Sequence, residues 1–269
     1  MYNDATWFGL IDYFYTDLSR SSQKTGEVLE RTAFKNCDLL LFSSDWAADS
    51  AIRDYDVSPN KVKVIPFGAN LETKYTDTDI QNLVRKRLVF DRCNLLFVGV
   101  DWERKGGAFA VAVTKELRYR GFDARLHIAG IRDTELKLPD YATNYGFISK
   151  KTEQGRQKLI ELFEEAHFFI LPTISEPFGI VFAEASSFGL PSLATKTGGI
   201  PTVVRDNVNG MTFPLTDFPN KFADYISNLI VNPKEYETIC LSAFEYYRTE
   251  INWDVAGERI VDAMQEIIK

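Results

Sequence analysis

The sequence predicts an α/β fold in which a parallel sheet is flanked by helices, with an incomplete second unit of the same kind ahead of it. Three observations carry this prediction. Short apolar runs recur at 94–100, 124–131, 168–172 and 190–194. They are too short for comfortable helices and are bounded by Gly or Pro, as strands buried on both faces of a parallel sheet are. Each is followed by a polar or glycine-containing loop, and most of these loops lead into a segment whose apolar residues return at helical spacing. Strand and helix therefore alternate, which is the pattern of an α/β sheet.

In chain order, 1–36 is polar and aromatic, and EVLERTAFK at 27–35 spaces its apolar groups as a helix does. CDLLLF at 37–42 reads as a strand closed by Ser43 and Ser44. SDWAADSAIRDYDV follows as a helix that Ser44 or Asp45 can cap. After a turn at Ser58-Pro59-Asn60, KVKVI at 61–65 is a short alternating strand that runs into PFGAN. The charged segment 73–88 is helical in character. NLLFVGV at 94–100 opens the main sheet, then DWERKGG leads to a helix at 108–119. A strand at 124–131 ends beside Gly130, and YGFI at 145–148 reads as another before a helix at 153–166. The strand at 168–172, a loop at 173–177 and a helix at 179–188 ended by Gly189 form the next unit. The strand at 190–194 and a short helix at 202–204 repeat the pattern, and helices at 218–231, 234–248 and 253–268 complete the chain.

Composition bounds the function. Hydrophobic residues make up 45% and charged residues 26% of the 269 residues, as in an ordinary globular protein. The net charge is −7, which argues against a nucleic-acid partner needing a basic face. Cys37, Cys93 and Cys240 have no metal-ligand spacing, and with only His127 and His167 present a histidine-centred metal site is not expected. An odd count of dispersed cysteines points to a reduced, cytoplasmic setting. No stretch is apolar enough to span a bilayer.

The residues at the strand ends suggest anion and polyol binding. The amides of Phe178, Gly179 and Ile180 open a helix and have no partners within it, so they can face a phosphate. Gly179 has no Cβ, which lets a ligand come close to the backbone. Glu184 lies further along that helix, and helical side chains lean toward the N-terminus. Its carboxylate can thus reach the same loop as Glu176, and the two offer acceptors for hydroxyl pairs. Lys105, beside Gly106 and Gly107 at the end of another strand, is the choice for a phosphate cation. Trp102 offers a ring for stacking on a ligand, and packing beneath that loop is the favoured reading. An isolated pair of glutamates at this spacing would read as a solvated helix residue and a capping carboxylate; the flanking residues decide otherwise.

Glu176, seven intervening residues and Glu184, in SEPFGIVFAEASSFGLP, together with TGGIP and DNVNG in the same order, resemble the signature of retaining family 4 glycosyltransferases of the GT-B fold. The resemblance implies that 1–66 is the last portion of a Rossmann-like acceptor-side domain, that 67–251 is the Rossmann-like nucleotide-sugar domain, and that 252–269 is a terminal helix returning toward the N-terminal part. It implies transfer of a sugar from a nucleoside diphosphate sugar, UDP favoured over GDP, to a hydroxyl acceptor with retention, in glycan or polysaccharide synthesis. No metal or other cofactor is required when lysine and helix amides neutralise the phosphates. Any peripheral membrane contact would belong to the N-terminal region outside this stretch.

By the same resemblance Lys105 and Glu176 are the catalytic residues. Lys105 stabilises the leaving diphosphate, and Glu176 holds sugar hydroxyls rather than acting as nucleophile. Glu184 accepts from the ribose diol, Gly99, Gly198 and Gly199 let their loops approach the donor, and Phe147 and Ile148 border the base, with Arg132 a weaker candidate. Related enzymes often carry an arginine after the strand glycine, where this chain has Val100. Arg104 is then the candidate second cation. The rival function is a nucleotide-sugar-binding module without catalysis. A rival that keeps the fold is a GT-B epimerase or phosphorylase, and the phosphorylase is disfavoured because no pyridoxal lysine motif is visible. A nicotinamide dehydrogenase is disfavoured because GVDWERKGG replaces the glycine pattern that would cradle a dinucleotide.

Overall fold

In the computed structural model all residues except 15, 16, 72, 73, 90, 134 and 269 are described. Two parallel sheets organise them. The first has three strands, β1 (Tyr2–Asn3), β2 (Leu40–Phe42) and β3 (Val62–Val64), side by side in that order. Helices α1 (Trp7–Phe14), α2 (Arg20–Asn36) and α3 (Asp45–Tyr55) belong to this unit. The helix expected over 27–35 begins at Arg20, because the Ser19 side chain accepts from the Ser22 N–H and caps it there. The same device starts α3, where Ser44 accepts from the Ala47 N–H.

After α4 (Asp77–Arg87) the second sheet begins with β4 (Cys93–Val98), α5 (Gly107–Tyr119), β5 (Ala124–Ala129) and β6 (Ala142–Asn144). It continues through α6 (Glu153–Glu165), β7 (Phe168–Leu171), α7 (Ile180–Ser187), β8 (Ser192–Thr195), α8 (Ile200–Val203) and β9 (Gly210–Phe213). Helices α9 (Pro219–Val231), α10 (Pro233–Glu250) and α11 (Trp253–Ile268) close the chain. Every strand pair is parallel, in the order β6-β5-β4-β7-β8-β9. All residues of β7 and β8 are buried, as central strands covered on both faces must be.

Two elements differ from expectation. The strand expected at 145–148 lies three residues earlier, pairing Leu126, His127 and Ile128 with Ala142, Thr143 and Asn144. Gly146 turns the chain off the sheet at φ +71°, and the Asn144 side chain accepts from its N–H at 2.9 Å. Phe147 and Ile148 are therefore loop residues beyond a strand end. β9, which no apolar run announced, begins at Gly210, where any Cβ would collide with the Ser192 carbonyl of β8.

Buried polar groups fix the packing. Arg87 is 2% exposed and donates to the carbonyls of Phe163, Phe188 and Gly189 at 2.9–3.0 Å. It thereby satisfies oxygens at the carboxyl ends of α6 and α7. His167 accepts from the Asn94 N–H at Nδ1, 3.1 Å. Burial, with the Arg87 charge adding, pushes its imidazole down from 6.5 to about 4. The folded protein thus favours neutral His167. Its contribution to stability is present above pH 6.5 and is lost as pH falls toward 4, by at most about 3 kcal/mol. In His167→Asn, which keeps an acceptor, the fall in unfolding midpoint between pH 7 and 4.5 should be shallower than in the parent. Parallel curves for the two proteins would contradict this.

The first sheet is tied to the second at two places. The Ser44 hydroxyl donates to the Pro177 carbonyl at 3.3 Å, and Thr202 Oγ1 accepts from the Asp45 N–H at 3.1 Å while donating to its carboxylate at 2.9 Å. At the other place α11 lays Ala256, Ile260 and Ala263 against Leu41 and Ile65. The Phe67 ring sits between them, 4.8 Å from Tyr2, 5.4 Å from Phe178 and 5.6 Å from Trp253.

Candidate functional site

The strand order reverses at β4, which has β5 on one side and β7 on the other. Crossovers leave in opposite directions there, so a crevice opens outside the carboxyl ends of β4 and β7, where open α/β sheets bind ligands. The loops after those two strands meet at the crevice. The Ile174 N–H and the Thr173 hydroxyl both donate to the Arg104 carbonyl at 2.9 Å. The Arg104 guanidinium donates to the Ser175 carbonyl at 3.0 Å and the Asp101 carboxylate at 3.2 Å. Arg104, expected as a second phosphate cation, is thus committed to bracing one loop against the other.

Lys105 does face the crevice. Its ammonium is ion-paired to Glu176, and the two side chains are 13% and 10% exposed. Gly99 makes room for this arrangement, since a Cβ there would lie 3.1 Å from the Lys105 stem. Trp102 packs under the loop, its six-membered ring filling the space a Cβ of Gly107 would need, with its centroid 5.8 Å from Phe97. Gly106 adopts φ +76°, and its missing Cβ accommodates the Pro172 carbonyl of the opposite loop. Gly106→Ala should cost on the order of 2 kcal/mol or more, through the left-handed backbone and the collision. Gly121→Ala, at φ +92° with open space around it, isolates the backbone share. Equal urea midpoints for the two variants would contradict the close approach.

The β7–α7 loop delivers the next groups. Gly179 has φ +86°, and a Cβ would press on the Phe182 ring and the Glu176 side chain. The Phe178 side chain is buried, so only its backbone can serve a ligand. Among the described residues the N–H groups of Phe178, Gly179 and Ile180 take no backbone partner. Gly198 and Gly199 differ from expectation in what they approach. Their missing Cβ atoms admit the backbone carbonyls of Glu176 and Pro177, and the Gly199 N–H donates to the Glu176 carbonyl at 3.0 Å. They position the glutamate loop from behind.

Glu184 is fully buried. One oxygen, Oε1, accepts from Lys150, whose side chain is 38% exposed. The other, Oε2, makes no hydrogen bond of ordinary geometry, although the Asn70 N–H is near enough to oppose the effect of burial. Burial raises its carboxyl above the usual range, while Lys150 and the Asn70 amide pull it back. Lys150 is the member of this cluster that the sequence reading does not single out. A loop lysine followed by a second lysine looks like a solvated turn, and nothing local shows that it meets a glutamate 34 residues on.

Beside these groups a cavity of about 350 Å³ opens at the ends of β4 and β5, bordered by Gly99, Val100, Gly130, Phe147, Ile148 and Lys150. Its walls are largely apolar, and the Arg132 guanidinium lies 4.3 Å from the Phe147 ring centroid. Gly130 at φ +104° lets that strand end close on the Gly99 carbonyl. A larger hollow of about 610 Å³, between α9 and α10, borders none of the strand-end loops and gathers none of these groups. Among the described residues no cluster of His, Cys, Asp and Glu is placed to hold a metal ion, and no helix is long and apolar enough to cross a membrane.

A three-stranded and a six-stranded parallel sheet flanked by helices, with a crevice at the switch point of the larger, define an α/β protein of the GT-B type. The glycosyl transferases group 1 family model matches residues 92–232, just over half of the chain, and the chain belongs to that family. The D-inositol 3-phosphate glycosyltransferase of Thermobifida fusca is 26% identical over 244 residues, 86% of this chain and 56% of that protein. The enzyme of the same name from Saccharomonospora viridis is 26% identical over 256 residues, 90% and 59% respectively. The chain thus spans less than two thirds of the length of these relatives. Among solved structures, a sucrose-phosphate synthase from Thermosynechococcus elongatus superposes with TM-score 0.70 at 23% identity, covering 97% of this chain and 66% of that one. HepE of Anabaena, in complex with UDP-glucose, superposes with TM-score 0.66 at 18% identity, covering 90% and 68%.

Proposed function

We propose that this chain is a retaining glycosyltransferase, or the donor-binding portion of one, that takes a sugar from a nucleoside diphosphate sugar and passes it to a hydroxyl acceptor. The observation that carries this reading is the convergence, at one sheet switch point, of a nucleoside-sized cavity, two lysine–glutamate pairs and a helix N-terminus. The base enters the cavity beside Phe147 and Ile148, the ribose diol meets Glu184, and the diphosphate lies against Lys105 and the Phe178–Ile180 amides. Glu176 then receives hydroxyls of the sugar. Departure of the diphosphate builds negative charge at the point where Lys105 and these amides are fixed in advance, which is how a preorganised site lowers a barrier. The diphosphate charge is met by protein groups, without a metal in this reading. The donor phosphate takes the acceptor proton on the same face of the sugar, so configuration is kept. UDP is favoured as the carrier, in line with the UDP-glucose complex of HepE, and the dispersed free cysteines favour the cytoplasm as the place of action.

A second reading is donor binding without transfer, since each group placed above meets the donor and none is assigned to an acceptor. The two separate in one assay. The chain is incubated with UDP-glucose, UDP-galactose and GDP-mannose while nucleoside diphosphate release is followed and the released or transferred sugar is read by NMR. Release with the α-configuration kept supports a retaining transferase. Tight donor binding with no release supports the binding module, and inversion would overturn the retaining reading.

A further inference from the structure

We propose that Lys150 is a donor-binding residue that recognises the phosphate attached to the ribose, using Glu184 as its anchor; this rests on the donor-site reading above. Four observations lead to it. First, Lys150 borders the cavity, so its stem runs along the wall a nucleoside would occupy. Second, its ammonium is ion-paired to Glu184 Oε1, which fixes the charge beside the carboxylate that meets the ribose diol. Third, Glu184 lies four residues into α7 from Ile180, about one helical turn, roughly 5–6 Å, from the amides that open the helix. A phosphate at those amides and a ribose at Glu184 are thus about one helical turn apart, and the Lys150 ammonium is held at the ribose end of that span by Glu184. Fourth, the cations expected elsewhere are absent from this spot or committed. Val100 stands exposed at the end of β4, and Arg104 holds Asp101 and the Ser175 carbonyl.

An ammonium has three donors. With one on Glu184, Lys150 can give another to a phosphate oxygen without leaving its partner. The pairing also opposes the effect of burial, which raises the Glu184 carboxyl, since an isolated buried carboxylate would take up a proton. Lys105 is paired with Glu176 and Lys150 with Glu184, and an ammonium that holds one glutamate oxygen keeps donors for the diphosphate. Lys105 lies toward the sugar end and Lys150 toward the nucleoside end.

The test is calorimetric titration of uridine, UMP and UDP, with guanosine, GMP and GDP in parallel, into the parent chain, Lys150→Met and Lys150→Arg. The readout is the affinity ratio of nucleoside monophosphate to nucleoside, which a merely structural role would leave unchanged. Lys150→Met should lower that ratio about tenfold, the worth of a charge-assisted hydrogen bond, and Lys150→Arg should restore most of it. Lys150→Met/Glu184→Gln, which leaves no orphaned buried charge, should show the same lowered ratio and covers the case in which the single variant does not fold. An unchanged ratio in Lys150→Met, or equal weakening of nucleoside and nucleotide, overturns the inference while leaving the donor site intact. A parent chain that binds none of the six ligands overturns both.

Discussion

Lys105→Ala is expected to lower nucleoside diphosphate release from a bound sugar donor by about 10²–10³-fold, the loss seen when one preorganised group facing developing negative charge is removed. Donor affinity should fall less, because the charge on the phosphates grows as the glycosidic bond breaks. The substitution has a second consequence. It leaves Glu176, 10% exposed, without its cation, and removing one partner of a buried pair costs about 3 kcal/mol or more. Lys105→Met/Glu176→Gln removes both charges and keeps the shape, so it should recover the melting temperature without recovering release. Recovery of both would mean that the pair only holds the loops together. Full activity in Lys105→Ala would remove this lysine from the chemistry.

Glu184→Gln is expected to weaken donor binding by about 10–100-fold, since a charged acceptor becomes a neutral one whose amide must also donate. The acidity of Glu184 adds a pH signature. Its carboxyl lies above the ordinary 4.5, burial being the largest cause. For stability the sign is that of a raised pKa: the contribution is fully present below 4.5 and is lost as pH rises through the folded value. For binding the sign is reversed, because the ribose diol needs the carboxylate. Donor affinity should therefore fall on acidification before ordinary carboxylates titrate, while this residue's share of stability increases. Calorimetry from pH 8 to 5 on parent and Glu184→Gln separates the two, the variant being flat where the parent falls. Identical pH profiles would show that Glu184 does not meet the ligand.

Much of this arrangement was legible because parallel strands buried on both faces must be written as apolar runs, and because close backbone approaches must be written as glycine. Gly106, Gly107 and Gly179 marked the loops of the crevice, and the runs at 94–100 and 168–172 marked the strands that deliver them. Other features depend on tertiary contact. The aromatic and β-branched YGFI segment looked like a strand, but Asn144 and Gly146 form a local turn that no propensity outweighs. β9 is a strand because β8 is there to pair with it. Gly198 and Gly199 also make room for the Glu176 and Pro177 carbonyls, a contact that spacing cannot express. Arg104 and Lys150 exchange the importance expected of them for the same reason: a long side chain declares its charge in the sequence and its partner only in the fold.

The most direct measurement is the unfolding temperature of the chain with UDP, GDP and ADP, beside Lys105→Ala and Glu184→Gln. A nucleotide that binds only the folded form at about one hundred times its dissociation constant adds about 2.7 kcal/mol, a shift of several degrees for a chain of this size. A rise with one nucleoside diphosphate that shrinks in both variants is the predicted result, and it identifies the base. No rise with any of the three, or a rise untouched by either substitution, would contradict a donor site at the β4–β7 switch point.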